Sequence, residues 1–166
     1  MSTISEDQKV SIEPVPELGD CLNLIPTHTI GKLYLGAVGG LRDLDKYNIK
    51  FVVSLFPTLN IEIPDNVLRH EYSINDQPQY KPRMKSILDE TTDDIRSELQ
   101  KGTNVFVHCF AGVSRSSTVV LDYLLTHEQL DLVNFQEVLD WIRKFRQQVK
   151  PNEGFIELLK ERHSLN

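Results

Sequence analysis

The stretch Val105-Phe106-Val107-His108-Cys109-Phe110-Ala111-Gly112-Val113-Ser114-Arg115-Ser116-Ser117 decides how this chain is read. An apolar run leads into a cysteine, an arginine follows six positions later with Gly112 between them, and serines surround the arginine. A strand that turns through a loop of small residues into a helix aims its backbone N–H groups, and the positive end of the helix dipole, at one point. Such a nest of amides binds an anion, and a cysteine at its mouth is expected to ionise more readily than a free thiol. Arg115 adds a bidentate fork for phosphate oxygens. Cys109 is therefore a candidate nucleophile, and Phe110, Ala111, Gly112, Val113 and Ser114 are candidate phosphate-binding residues.

A cysteine closing a buried strand is otherwise an ordinary small hydrophobe. The preceding His108, Gly112 at the loop's midpoint, Ser-Arg-Ser at its end and the strand-then-helix context set this one apart. A Walker-type phosphate loop is excluded, because no Gly-x4-Gly-Lys-Ser/Thr string occurs. His108 alternates with Cys109 along the strand and so points to the other face, which makes it a buried support for the loop rather than a general base. Gly112 provides backbone freedom in a tight turn.

Outward from the loop, strand and helix signals alternate. Lys32–Leu35, Phe51–Phe56, Val67–Ile74 and Asn104–His108 read as strands. Gly39–Tyr47 reads as a short helix or turn, and Asn75 to Tyr80 as a polar loop. Pro82 to Gln100 carries Met84, Ile87, Leu88, Ile95 and Leu99 at helical spacing and stops before Gly102. Ser117–His127 and Val133–Gln147 read as amphipathic helices, with Asn152 as N-cap of a last helix through Leu159. This alternation implies an α/β sheet flanked by helices, with the site at the carboxyl end of a strand. Residues 1–26, with Pro14, Pro16 and Pro26 and little periodicity, read as an extended or disordered lead-in to a domain at 27–166.

A length of 166 residues fits one domain with a substantial core. The acidic, polar start carries no secretory signal, and no apolar run is long enough to span a bilayer. Two cysteines, Cys21 and Cys109, argue against a disulfide framework and for a reducing, intracellular compartment. Cys21 reads as a packing residue, with a resolving role toward oxidised Cys109 as the alternative. A net charge of −6 opposes binding to nucleic acid or to anionic membranes. Lys81, Arg83, Lys85 and the Arg143–Arg146 stretch could form a local basic rim; for the last, the simpler reading is a solvated helix face.

Thiolate attack on a phosphomonoester needs an acid for the leaving oxygen. Asp89, Glu90, Asp93, Asp94 and Glu98 fall on the expected wet face of the helix that starts at Pro82. Asp76 instead follows a strand in a polar loop, where it can reach over a neighbouring strand's mouth. Glu71 and Asp65 are the weaker substitutes, and an Asx-turn is the simpler role for Asp76. Ser116 can donate to a departing sulfur; as a helix N-cap it would need no chemical role. No His/Cys/Asp cluster has metal-ligand spacing, and neither metal nor cofactor is expected.

His-Cys-x5-Arg-Ser, from His108 to Ser116, resembles the signature of the protein tyrosine phosphatases, and His-Cys-x-Ala-Gly-Val-Ser-Arg-Ser resembles that of their dual-specificity branch. Leu33-Tyr34-Leu35-Gly36 is similar to that branch's first strand. Asp76 stands where its acid loop lies, and Pro151-Asn152 with Phe155 is similar to its penultimate turn and last helix. The resemblance, over roughly residues 27–163, implies a single-domain fold with a central mixed, mostly parallel sheet. It also implies a phosphocysteine mechanism with Cys109, Arg115, Asp76 and Ser116 as catalytic residues. The expectation is a stand-alone, atypical dual-specificity phosphatase without a kinase-docking domain, acting on phosphoproteins in the cytoplasm or nucleus. A loop without lysine, and a chain short for pocket-deepening insertions, favour a singly phosphorylated side chain of either the tyrosine or the serine/threonine type. The alternatives are a phosphatase for a lipid, glucan or RNA 5′-end, and a silent phosphoprotein-binding module.

Overall fold

The computed structural model describes residues 21–57 and 61–166. Five strands form one sheet: β1 (Leu22–Ile25), β2 (Leu33–Gly36), β3 (Ile49–Ser54), β4 (Leu68–Glu71) and β5 (Asn104–His108), in the spatial order β1-β2-β5-β3-β4. β1 is antiparallel to β2, and the other pairings are parallel. The helices are α1 (Lys81–Gln100), α2 (Arg115–His127), α3 (Phe135–Arg143) and α4 (Glu153–His163). The sheet is thus mixed and mostly parallel, as expected, and β5 lies at its centre.

The two faces are sorted by the period of two along each strand. Leu33 and Leu35, Phe51 and Val53, and Val105 and Val107 point to one side, where they meet Met84, Ile87, Leu88, Val119, Val120, Ile142 and Phe155 of the helices. Tyr34, Val52 and Phe106 point to the other side, onto Val38, Leu41 and Leu44 and the 61–67 stretch. Ile49 joins the second cluster although Phe51 belongs to the first. A register shift between them supplies the extra residue that reverses the alternation. Cys109 falls on the helix side and His108 on the other, which is the opposition that strand parity required.

Residues 22–25 differ from expectation, since they form β1 and belong to the domain. Four residues that stop just before Pro26 give little periodic signal. What pairs them is Gly36, where a Cβ would stand 1.9 Å from the Cys21 carbonyl oxygen, and the Ala37 amide, which donates to that oxygen at 2.7 Å. The remainder of the expected lead-in, residues 1–20, lies outside the described residues. Cys21 is buried, and burial pushes its thiol up, which agrees with a packing role. The helix expected from Val133 to Gln147 spans only Phe135–Arg143. The chain leaves it so that the backbone of residues 144–150 can turn back on the loop after β5.

α4 is pinned at its far end. Arg162 Nε and His163 Nε2 meet Asp122 Oδ1 of α2 at 2.9 and 2.7 Å, and Thr92 of α1 donates to the same carboxylate. Burial pushes the Asp122 carboxyl up, but these hydrogen bonds outweigh burial and hold it below the usual range. No helix among the described residues is long and apolar enough to cross a membrane.

Candidate active site

β5 delivers Cys109 to the centre of the sheet's carboxyl edge, and α2 starts at Arg115. Between them every carbonyl is drawn outward. The His108 oxygen accepts from Leu55 N at 2.8 Å, and the Cys109 oxygen from His108 Nδ1 at 2.9 Å. The Phe110 oxygen accepts from Val38 N at 3.0 Å and the Val113 oxygen from Lys150 N at 2.7 Å. The Ala111 and Gly112 oxygens accept from Arg146 Nη2 at 3.2 Å and Nε at 2.9 Å. The Ser114 oxygen accepts from Thr118 N at 3.0 Å and Thr118 Oγ1 at 2.8 Å. A peptide whose carbonyl is held outside presents its N–H to the inside, so the loop is a nest of inward amides. Among the described residues, no oxygen accepts from the amides of Phe110, Ala111, Val113 or Ser114.

Cys109 Sγ sits within this nest, taking the Gly112 amide at 3.3 Å and lying 3.2 Å from Ser116 Oγ. Gly112 has φ 70°, and a Cβ there would fall 2.5 Å from both Arg146 Nη2 and the Gly36 carbonyl carbon. Only glycine fits that position. Ser116 is not the helix N-cap: Ser114 holds that place, and Ser116 lies inside the first turn with its hydroxyl on the sulfur.

Arg115 donates from Nη1 to the Ile74 carbonyl at 2.9 Å, and its guanidinium lies 5.7 Å from the Phe56 ring centre. Its Nε is buried and has no hydrogen-bond partner among the described residues. A donor in that condition calls for an acceptor, which a phosphate oxygen at the loop would supply. Phe56 also meets Phe110 with ring centres 5.3 Å apart, so an aromatic pair flanks the loop.

His108 is fully buried between Ser54 Oγ, 2.7 Å from Nε2, and the Cys109 carbonyl. A carbonyl can only accept, so Nδ1 carries the proton and Nε2 accepts from the Ser54 hydroxyl. Burial drives its pKa down to about 4, which keeps the ring neutral and the bond to the loop intact.

Asp76 lies in the exposed loop after β4, where its Oδ1 accepts from Asn152 Nδ2 at 2.9 Å. The Asn152 amide donates in turn to Ser114 Oγ at 2.9 Å. The structure therefore gathers Cys109, Arg115, Ser116 and the loop, and ties Asp76 to them through Asn152, whose side chain meets Asp76 and whose backbone N–H meets Ser114. Asp65 is excluded from this group: it lies among Ile61, Ile63 and Val67, which pack on the sheet face away from Cys109. Glu71 ends β4 beside Ser54 in the register.

The expected basic rim takes a different form. Lys81 pairs with Glu157 and Glu161, and Lys85 with Asp89, while Arg143 Nε donates to the Val149 carbonyl. Arg146 is 1% exposed and holds the loop from behind, contrary to the solvated helix face that the sequence suggested. The run Arg143-Lys144-Phe145-Arg146 carries no local sign of this, because the carbonyls that Arg146 serves are 34 and 35 residues away.

The family model for the dual specificity phosphatase catalytic domain matches residues 33–164. Dual specificity protein phosphatase 15 of Rattus norvegicus is 34% identical over 138 residues, covering 81% of this chain and 56% of that protein. Dual specificity protein phosphatase 1 of Arabidopsis thaliana is 30% identical over 132 residues, covering 78% of this chain and 64% of that protein. The chain thus spans less than two thirds of either relative. The crystal structure of DUSP15 superposes with a TM-score of 0.65 at 26% identity, covering 83% of this chain and 85% of that one. The matched stretch contains the whole loop from β5 to α2 together with the carbonyl donors named above, and the chain belongs to the dual specificity phosphatase family.

Proposed function

We propose that this chain hydrolyses phosphotyrosine and phosphoserine or phosphothreonine in proteins through a phosphocysteine intermediate. The observation that carries the reading is the outward capture of every loop carbonyl, which turns the amides onto the space in front of Cys109 Sγ. In the first step the Cys109 thiolate attacks phosphorus in line, forming the S–P bond as the O–P bond to the side chain breaks. Arg115 and the loop amides hold the equatorial oxygens, and protonated Asp76 gives its proton to the leaving oxygen. In the second step Asp76, now a carboxylate, takes a proton from water as that water attacks phosphorus. The S–P bond breaks, and the Ser116 hydroxyl, 3.2 Å from sulfur, stabilises the departing thiolate.

The choice of substrate rests on charge. Arg115 is the one cation within the loop sequence, and backbone dipoles supply the rest, a balance suited to a single phosphate on a side chain. The aromatic pair Phe56 and Phe110 beside the loop offers an apolar flank for the group that carries it. The test is a panel of phosphotyrosine and phosphothreonine peptides set against phosphoinositides and a 5′-phosphorylated RNA, all in EDTA. Both peptide classes should be turned over with kcat/KM at least about tenfold above the other substrates, since one unmatched charge alters recognition by that order. A reversed ranking would assign the chain to a non-protein phosphate.

A further inference from the structure

We infer that Asn152 is a positioning residue that sets which oxygen of Asp76 carries the transferred proton; this rests on the reading of Asp76 as the acid. Asn152 is the N-cap of α4, and its side chain has two committed ends. Oδ1 accepts from the Phe155 amide at 3.0 Å, and Nδ2 donates to Asp76 Oδ1 at 2.9 Å. The amide orientation is fixed by chemistry, because the Phe155 N–H can only donate and so must face oxygen. The amino group is thereby directed at Asp76.

The consequence falls on the carboxyl group. The carbonyl oxygen of a carboxyl group accepts an N–H better than its hydroxyl oxygen does, so the contact with Asn152 favours Asp76 Oδ1 as the unprotonated oxygen. The proton of the acid form sits on Oδ2, the oxygen turned away from Asn152. The same oxygen is the one left to take a proton from water in the second step. A carboxyl on an exposed loop would otherwise exchange its two oxygens by rotation about χ2.

The rest of α4 is built to hold this contact. Gly154, the second residue of the helix, presses so closely on the acid loop that a Cβ would stand 2.3 Å from the Pro78 carbonyl oxygen. Lys81, just after that loop, is held by Glu157 at 2.8 Å and Glu161 at 3.0 Å. The Asn152 amide reaches Ser114 Oγ, and the far end of α4 is locked on Asp122. One residue therefore references the acid loop to the phosphate loop.

Two variants separate this role from capping. Asn152→Ser and Asn152→Asp both keep an N-cap acceptor, and both lose the N–H donor. Each is measured in the wild-type and the Asp76→Asn background, on a phosphotyrosine peptide and on p-nitrophenyl phosphate, with KM, the inhibition constant of inorganic phosphate and Tm. In the wild-type background, kcat on phosphotyrosine should fall about tenfold or more, as for a misplaced catalytic group. KM, phosphate inhibition and Tm should hold, and p-nitrophenyl phosphate, whose leaving group needs little protonation, should lose less than about threefold. In the Asp76→Asn background, neither variant should cost anything further. An undiminished kcat in both variants, or equal losses in the two backgrounds, overturns the role of Asn152 and leaves Asp76 as the acid. If Asp76→Asn alone leaves phosphotyrosine turnover intact, the acid assignment itself fails and takes this inference with it.

Discussion

Replacing Arg146 by methionine is the sharpest structural perturbation available, because it keeps an unbranched stem while removing the clamp behind the phosphate loop. The guanidinium donates to the Gly112 carbonyl at 2.9 Å, to the Ala111 carbonyl at 3.2 Å and to Asn23 Oδ1 at 2.8 Å. With a residue 1% exposed, water cannot take over these contacts. Two orphaned carbonyls cost roughly 1–3 kcal/mol each, and relief from burying a cation offsets part of this. We expect Arg146→Met to lose about 2–4 kcal/mol of unfolding free energy in urea. The loop carbonyls would then be free to turn inward, so the inhibition constant of inorganic phosphate should rise at least about tenfold, or 1.4 kcal/mol. Arg146→Lys keeps the charge but offers a point donor where a planar fork is needed, and should recover only part of either loss. A stability change under about 1 kcal/mol with unaltered phosphate inhibition would refute the clamp.

His108 makes stability depend on pH in a defined window. Its folded pKa, depressed from 6.5 to about 4, means that its contribution is complete above about pH 6.5 and is lost as pH falls toward 4. At roughly 1.4 kcal/mol per unit this amounts to about 3 kcal/mol; urea titrations should show His108→Gln lacking that part of the decline, and parallel curves for the two proteins would contradict it. Gly112→Ala should cost at least about 2 kcal/mol in the same assay, since positive φ and backbone contact at 2.5 Å act together. Near-wild-type stability would show that the loop relaxes more easily than its packing implies.

The parts of this structure that the sequence announced are those with local causes. β5, the loop and the start of α2 follow from an apolar run, small residues and a helical pattern in one continuous segment. α1 follows from its apolar spacing, and the Asn152 cap from a polar residue ahead of a helix; its Oδ1 does accept from the Phe155 amide. The position of Asp76 in a loop at the sheet's carboxyl side was also legible. What escaped has distant causes. β1 exists because Gly36 lets it approach, and Asn23 within it meets Arg146 from across the chain. Arg146 looks like one more surface cation until the fold places Ala111 and Gly112 beside it. The reach of the Ser116 hydroxyl to sulfur was expected, whereas its place inside the first turn, with Ser114 as the cap, was not, because sequence cannot show that the helix begins at Arg115.

The central claim is that Cys109 is the nucleophile in a metal-independent reaction, and it is tested most directly by p-nitrophenyl phosphate hydrolysis in EDTA by the wild type and Cys109→Ser. The wild type should turn the ester over and the variant should not, while still binding inorganic phosphate because the cradle is mostly backbone. Turnover that survives in Cys109→Ser, or a folded and reduced wild type that binds phosphate without hydrolysing the ester, would contradict it.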